Sequence, residues 1–138
     1  MNVKYVVGGL LVIAAVAAIS FLVIRPSSPC NNGVCKVSVT VQACQANGAT
    51  AEPYNLPVHD PNNIEWTIDT DGYVFTSNGI TVQGTGFPNN PGVTGNGKKF
   101  KVHDDYTDIR PNIKYSIEVQ ATGSGTPCPK TDPLISNQ

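Results

Sequence analysis

Seven residues, Lys36-Val37-Ser38-Val39-Thr40-Val41-Gln42, alternate polar and apolar without a break. A period of two puts every valine on one side of an extended chain and every polar side chain on the other, so one face is buried and one is wet. The pattern returns in Ile64-Glu65-Trp66-Thr67-Ile68-Asp69, which buries Ile64, Trp66 and Ile68. It returns in Phe100-Lys101-Val102-His103 and in Lys114–Gln120, where Ile113, Tyr115, Ile117 and Val119 point inward. Tyr73-Val74-Phe75 and Ile80-Thr81-Val82-Gln83 are shorter runs of the same kind, and the tight-turn signals Asp71-Gly72 and Asn78-Gly79 precede them. Six or seven short strands in roughly 90 residues, with no helical period after Ile24, predict an all-β fold. Two sheets with one apolar face each must cover one another. The expectation is therefore an antiparallel β-sandwich over residues 37–138, with Trp66 at its centre.

Two stretches interrupt the strands. Ala49–Asn63 contains Pro53, Pro57 and Pro61 and reads as a long crossover or an irregular edge, never a central strand. Gly84–Gly97 is rich in glycine, proline and asparagine and reads as a loop. Loops on a rigid scaffold commonly carry recognition, so both are candidate partner surfaces. Phe87 is the one large apolar side chain of the second loop, and it reads equally as a partner contact or as a residue folded back on the core.

Ahead of the strands lies a different pattern. Tyr5–Ile24 spans 20 residues without a charge or a proline. As a helix it would be about 30 Å long, the thickness of a bilayer's hydrocarbon core. The only small-residue cleavage pattern, Ala15-Val16-Ala17, sits inside the run, with Phe21–Ile24 still to follow. Residues 1–25 are therefore expected to be a transmembrane anchor held in lipid through residues 5–24. A cleaved secretion signal is the competing reading. Ala14 and Ala18, with Gly8 and Gly9 nearer the start, would let two such helices approach closely, which leaves a homo-oligomer through the helix open. Flanking charge is nearly even, with Lys4 on one side and Arg25 and Lys36 on the other. Residues 26–36 follow as a linker and a small cysteine loop.

All four cysteines, Cys30, Cys35, Cys44 and Cys128, come after that segment. An even count in a domain of this size reads as disulfides formed in an oxidising compartment. Three pairings are open. Cys30 and Cys35 flank a natural turn, while Cys44 and Cys128 could tie the two ends of the domain together. The spacing lacks the paired C-x₂-C units of a zinc ribbon. The cysteines thus place residues 26–138 outside the cytoplasm, periplasmic or extracellular, on a single-pass membrane protein.

The runs "NNIEWTIDTDGYVFTSNGITV", "GNGKKFKVHDD", "IKYSIEVQ" and "DPLISN" resemble a group of small exported bacterial domains. Shared motifs are W-x-[IL] in Trp66–Ile68, F-x-x-N-G-I in Phe75–Ile80, Y-x-I-x-V in Tyr115–Val119 and D-P-x-I-x-N in Asp132–Asn137. The resemblance covers about residues 60–138. It implies an Ig-like or cupredoxin-like sandwich and no assigned activity. Members of the group usually begin with a cleavable signal, and this chain departs from them there.

Few groups could carry chemistry. A blue-copper site needs two His, a Cys thiolate and usually a Met. His59 and His103 are present, but the only methionine is Met1 and no His follows Cys128. Asp69-Thr70-Asp71-Gly72 resembles part of a calcium loop but lacks the first Asp and the final Glu. A second acidic group, His103-Asp104-Asp105 with Asp108, could bind a hard cation if a loop folded it together, but it reads first as a polar loop. No nucleophile elbow is present. Beyond Arg25, seven basic side chains face ten acidic ones, which argues against nucleic acid as a partner. The one basic cluster, Lys98-Lys99-Phe100-Lys101, reads as a solvated strand edge. No cofactor or metal is expected. The expected function is a non-enzymatic, membrane-anchored module acting by protein contact on a partner not specified by sequence. A structural subunit of a membrane or filament assembly is the rival, and a metal carrier the third reading.

Overall fold

The computed structural model describes residues 28–88 and 91–138, and the expected anchor over residues 1–25 lies outside them. Among the described residues, no helix is long and apolar enough to cross a membrane.

Those described residues form ten strands in order: β1 (Cys30–Asn31), β2 (Val34–Val41), β3 (Ala49–Glu52), β4 (Asn55–Val58), β5 (Asn62–Ile68), β6 (Tyr73–Val82), β7 (Gly92–Thr94), β8 (Lys99–Asp104), β9 (Ile113–Ala121) and β10 (Leu134–Asn137). One short 3₁₀ turn, Gly95–Gly97, precedes β8. The first sheet runs β1-β2-β5-β8-β7, with β3 on the same edge of β2 as β1. The second runs β4-β10-β9-β6. The all-β, two-sheet expectation stands, but a purely antiparallel sandwich does not. β2 pairs parallel with β5, and β4 pairs parallel with β10.

The parallel pairs have a topological cause. β3 turns back along one edge of β2. The chain then crosses to the second sheet as β4 before returning as β5 on the other edge of β2. A long crossover is what parallel pairing requires, and the proline-rich stretch supplies it. Pro57 is tolerated because β4 is an edge strand of its sheet.

Inward residues of both sheets form one core. Val37, Val39, Ile64, Trp66, Phe100 and Val102 come from the first sheet, and Leu56, Ile80, Ile113, Tyr115, Ile117 and Ile135 from the second. Trp66 meets Tyr115 across the layers at a ring-centroid distance of 5.3 Å. Phe75 meets Phe100 edge-on at 5.8 Å.

Three local expectations are corrected, and one gains detail. The small cysteine loop closes as a hairpin: β1 and the start of β2 pair antiparallel and are joined by a two-residue turn in which Asn32 and Gly33 both have positive φ. The Gly84–Gly97 loop contains β7, which pairs with β8. Lys99 and Lys101 are not on an edge, because β8 lies between β5 and β7. Asn78-Gly79 is not a hairpin turn, since β6 runs straight through it. The register against β9 slips there, between Phe75 and Ile80, as at a bulge. Gly79 is required at that bulge by contact, because a Cβ would stand 2.7 Å from the Phe75 Cβ. Gly79→Ala should therefore cost about 1–3 kcal/mol through overpacking, measured by chemical unfolding. A change under a few tenths would mean that Phe75 moves aside freely.

Candidate functional site: a charged sheet face and a polar end of the core

The outer face of the first sheet follows from the same alternation that builds the core. Residues opposite one another across β2, β5 and β8 form a row, Lys36–Glu65–Lys101. Two residues along β5, Thr67 lies opposite Lys99, and two residues the other way Asn63 lies opposite His103. Glu65 takes two ion pairs, Lys99 Nζ to Oε1 and Lys101 Nζ to Oε2, each 2.9 Å. His103 Nδ1 and Asn63 Oδ1 are 3.0 Å apart. A shallow cleft of about 290 Å³ lined by Val34, Asn63, Glu65, Pro91 and Lys101 opens on this face. Another, of about 330 Å³, lies between the Asn31-Asn32-Gly33 turn and His59-Asp60-Pro61-Asn62.

Hydrogen bonds from Lys99 and then Lys101 hold the Glu65 carboxyl below its ordinary value. Its folded pKa is depressed, so the stability it contributes is present above the unfolded value near 4.5 and is lost as pH falls through the folded value. Glu65→Gln should cost about 0.2–1 kcal/mol at neutral pH, since the lysine partners are well solvated. In strong acid the variant and the parent should unfold alike. Urea titrations at the two pH values check this, and an equal cost at both would assign the loss to packing.

At one end of the sandwich the alternation carries polar residues inward. β8 buries Phe100, Val102 and then Asp104, and β5 begins with a buried Asn62 opposite Asp104. Asn137 arrives from β10 and is also buried. Asp104 Oδ1 accepts from the Tyr106 backbone N–H at 2.9 Å and from Asn137 Nδ2 at 3.4 Å. Asn137 Nδ2 also donates to the Asp108 carbonyl at 3.0 Å. Burial is the main cause that pushes the Asp104 carboxyl above its ordinary value. Sequence reading placed Asp104 in a polar loop. Continuing the β8 alternation one step beyond Val102 would have placed it inside.

The other sequence candidates separate. Cys30 pairs with Cys35 and Cys44 with Cys128, so no free thiol remains among the described residues. Phe87 is partly buried and packs against the core. His59 lies in the loop after β4 and His103 on the outer face, and the Cys128 sulfur is in a disulfide, so those groups do not assemble a copper site. Asp69 accepts from Ser38 Oγ. Asp105 accepts from Thr107 Oγ1 at 2.7 Å. Asp108 pairs with Arg110, which holds the carboxyl below and the guanidinium above their ordinary values. Among the described residues no three His, Cys, Asp or Glu side chains converge as a ligand set.

Fold and site together define a disulfide-braced, two-sheet β-sandwich whose first sheet carries an ion-paired outer face. No family model matches the chain, and no curated protein matches it.

Proposed function

We propose that this chain is a non-enzymatic module, held in a membrane by residues 5–24, whose sandwich lies outside the cytoplasm and binds another protein through the outer face of the first sheet. The observation that carries the reading is the pair of disulfides, which together occupy all four cysteines. Such bridges persist in oxidising compartments and are rare in the cytosol. The apolar run of Tyr5–Ile24 supports the anchor by its length. The Lys36–Glu65–Lys101 row supports the contact, because a preset arrangement of charge favours partner selection and encounter rate.

Resemblance to exported bacterial sandwiches fits the same setting. Of the two sandwich types that it implies, the cupredoxin-like one is favoured, since an Ig sandwich is built from two antiparallel sheets and here β2 and β5 pair in parallel near the centre.

A photo-crosslinking residue at Lys36, compared with one at Ser77 on the second sheet, tests the reading in native membranes. Adducts of one discrete mass at position 36 and none at 77 are expected. An adduct of twice the chain mass would favour the assembly-subunit reading, and no adduct at either position would contradict recognition by this face.

A further inference from the structure

Two buried oxygens at the polar end of the core have no hydrogen-bond partner among the described residues: Asp104 Oδ2 and Asn137 Oδ1. Both residues are shielded from solvent, Asp104 at 0% and Asn137 at 2% exposure. They belong to side chains that already touch, through Asn137 Nδ2 and Asp104 Oδ1. Leaving both unpaired would forfeit the full cost of taking each from water, and more for a charged group than for a neutral one. A carboxylic acid, unlike a carboxylate, has a donor to give. One proton on Asp104 Oδ2 would satisfy both oxygens, closing the acid–amide ring whose other half is the bond already present. The second Asn137 amide hydrogen is directed at the Asp108 carbonyl, so the amide orientation is fixed independently. A cation between the oxygens is the competing explanation. Two side-chain oxygens closed off from water are too few for calcium, which takes six to eight ligands.

We propose that Asp104 and Asn137 form a proton-dependent latch, in which protonated Asp104 donates from Oδ2 to Asn137 Oδ1 and so fastens β10 to the Asp104–Asp108 segment. β10 is a four-residue strand seated between β4 and β9, and Asn137 is its last residue. Its backbone N–H donates to the Arg110 carbonyl just beyond that segment, and Tyr106 within it donates its hydroxyl to the Gln138 carbonyl, so the stretch 104–110 grips the end of the strand at several points. Neighbouring charges set the balance. Asp105 opposes ionisation and His103 favours it. Asp108 is neutralised by Arg110. From β5 the neighbour is uncharged Asn62, whose amide donates to the Asp60 carbonyl. The folded pKa lies above the unfolded value near 3.8, so the stabilising contribution is complete below that value and disappears as pH rises through the folded one.

Carbon-13 NMR of the aspartate carboxyls in the full chain, titrated with acid and base, reads the proton directly. Amide exchange of Ile135 and Asn137, referenced to Ile64 in β5, reads the latch. The expected result is that Asp104 titrates above every other aspartate and that relative protection of β10 falls in step as it ionises. In Asp104→Asn that step should vanish. If Asp104 titrates with the other aspartates, or shifts at neutral pH on adding calcium chloride, the proton is overturned. If it titrates high while β10 protection stays constant, the latch is overturned. The parent titration decides the matter even if the variant does not fold.

Discussion

Trp66→Ala should lower the unfolding free energy by about 3–5 kcal/mol, enough to leave most of a marginal domain unfolded at modest urea. Trp66 is fully buried in the first sheet and faces Tyr115 of the second. Its removal empties the centre of the interface between layers, where main-chain strands on both sides limit collapse into the gap. The indole N–H lies toward the Tyr115 hydroxyl, yet neither atom makes a well-formed hydrogen bond. Trp66→Phe should therefore retain most of the stability that Trp66→Ala loses, because packing of the ring outweighs the polar contact. Burial pushes the Tyr115 phenol up to about 12. Phenol absorbance should accordingly show one tyrosine of the parent titrating late, and in a folded Trp66→Ala variant that tyrosine should titrate earlier as water enters. Urea unfolding gives the energy, and a loss below about 1 kcal/mol would contradict the central position assigned to Trp66.

Breaking the Cys44–Cys128 bridge should be comparably severe. It joins residues 84 apart, whereas Cys30–Cys35 joins residues only five apart. In the chain-entropy account the long bridge is worth about 4.5 kcal/mol and the short one about 2 kcal/mol. Cys44→Ser combined with Cys128→Ala should therefore lower the unfolding free energy by roughly twice as much as opening the short hairpin. The short bridge also repeats what the Asn32-Gly33 turn and the β1–β2 pairing already impose. The long one ties the segment after β2 to the connection between β9 and β10, across the two sheets. Equal losses would show that the unfolded chain is not the state the long bridge constrains.

The inward faces of β2, β5, β8 and β9 were legible because alternation is a local property, carried by Val37–Val41, Ile64–Ile68, Phe100–Val102 and Ile113–Val119. Partner choice is not local. Nothing within Val34–Val41 says that its neighbour will be Asn62–Ile68 running the same way, so the parallel pairs were missed. β10 escaped as a strand because four residues carry too little pattern, although Ile135 is fully buried. Asn78-Gly79 misled because glycine serves a bulge as well as a turn, and the decisive fact is the proximity of Phe75. The cysteine pairs matched two of the linkages that spacing left open. On the outer face, Glu65, Lys99 and Lys101 were visible as residues but not as a cluster, since β5 and β8 are separated by more than thirty positions. Asp104 was hidden by its neighbours. Next to Asp105 and Asp108 it reads as surface charge, and only the phase of β8 turns it inward.

Intact mass of the protein purified from membranes of its native host tests the central claim most directly. The account predicts a polypeptide that still carries residues 1–25 and weighs less than the fully reduced chain by the hydrogens that two disulfides remove. A mature chain beginning after Ile24, or a mass that matches four free thiols, would contradict it.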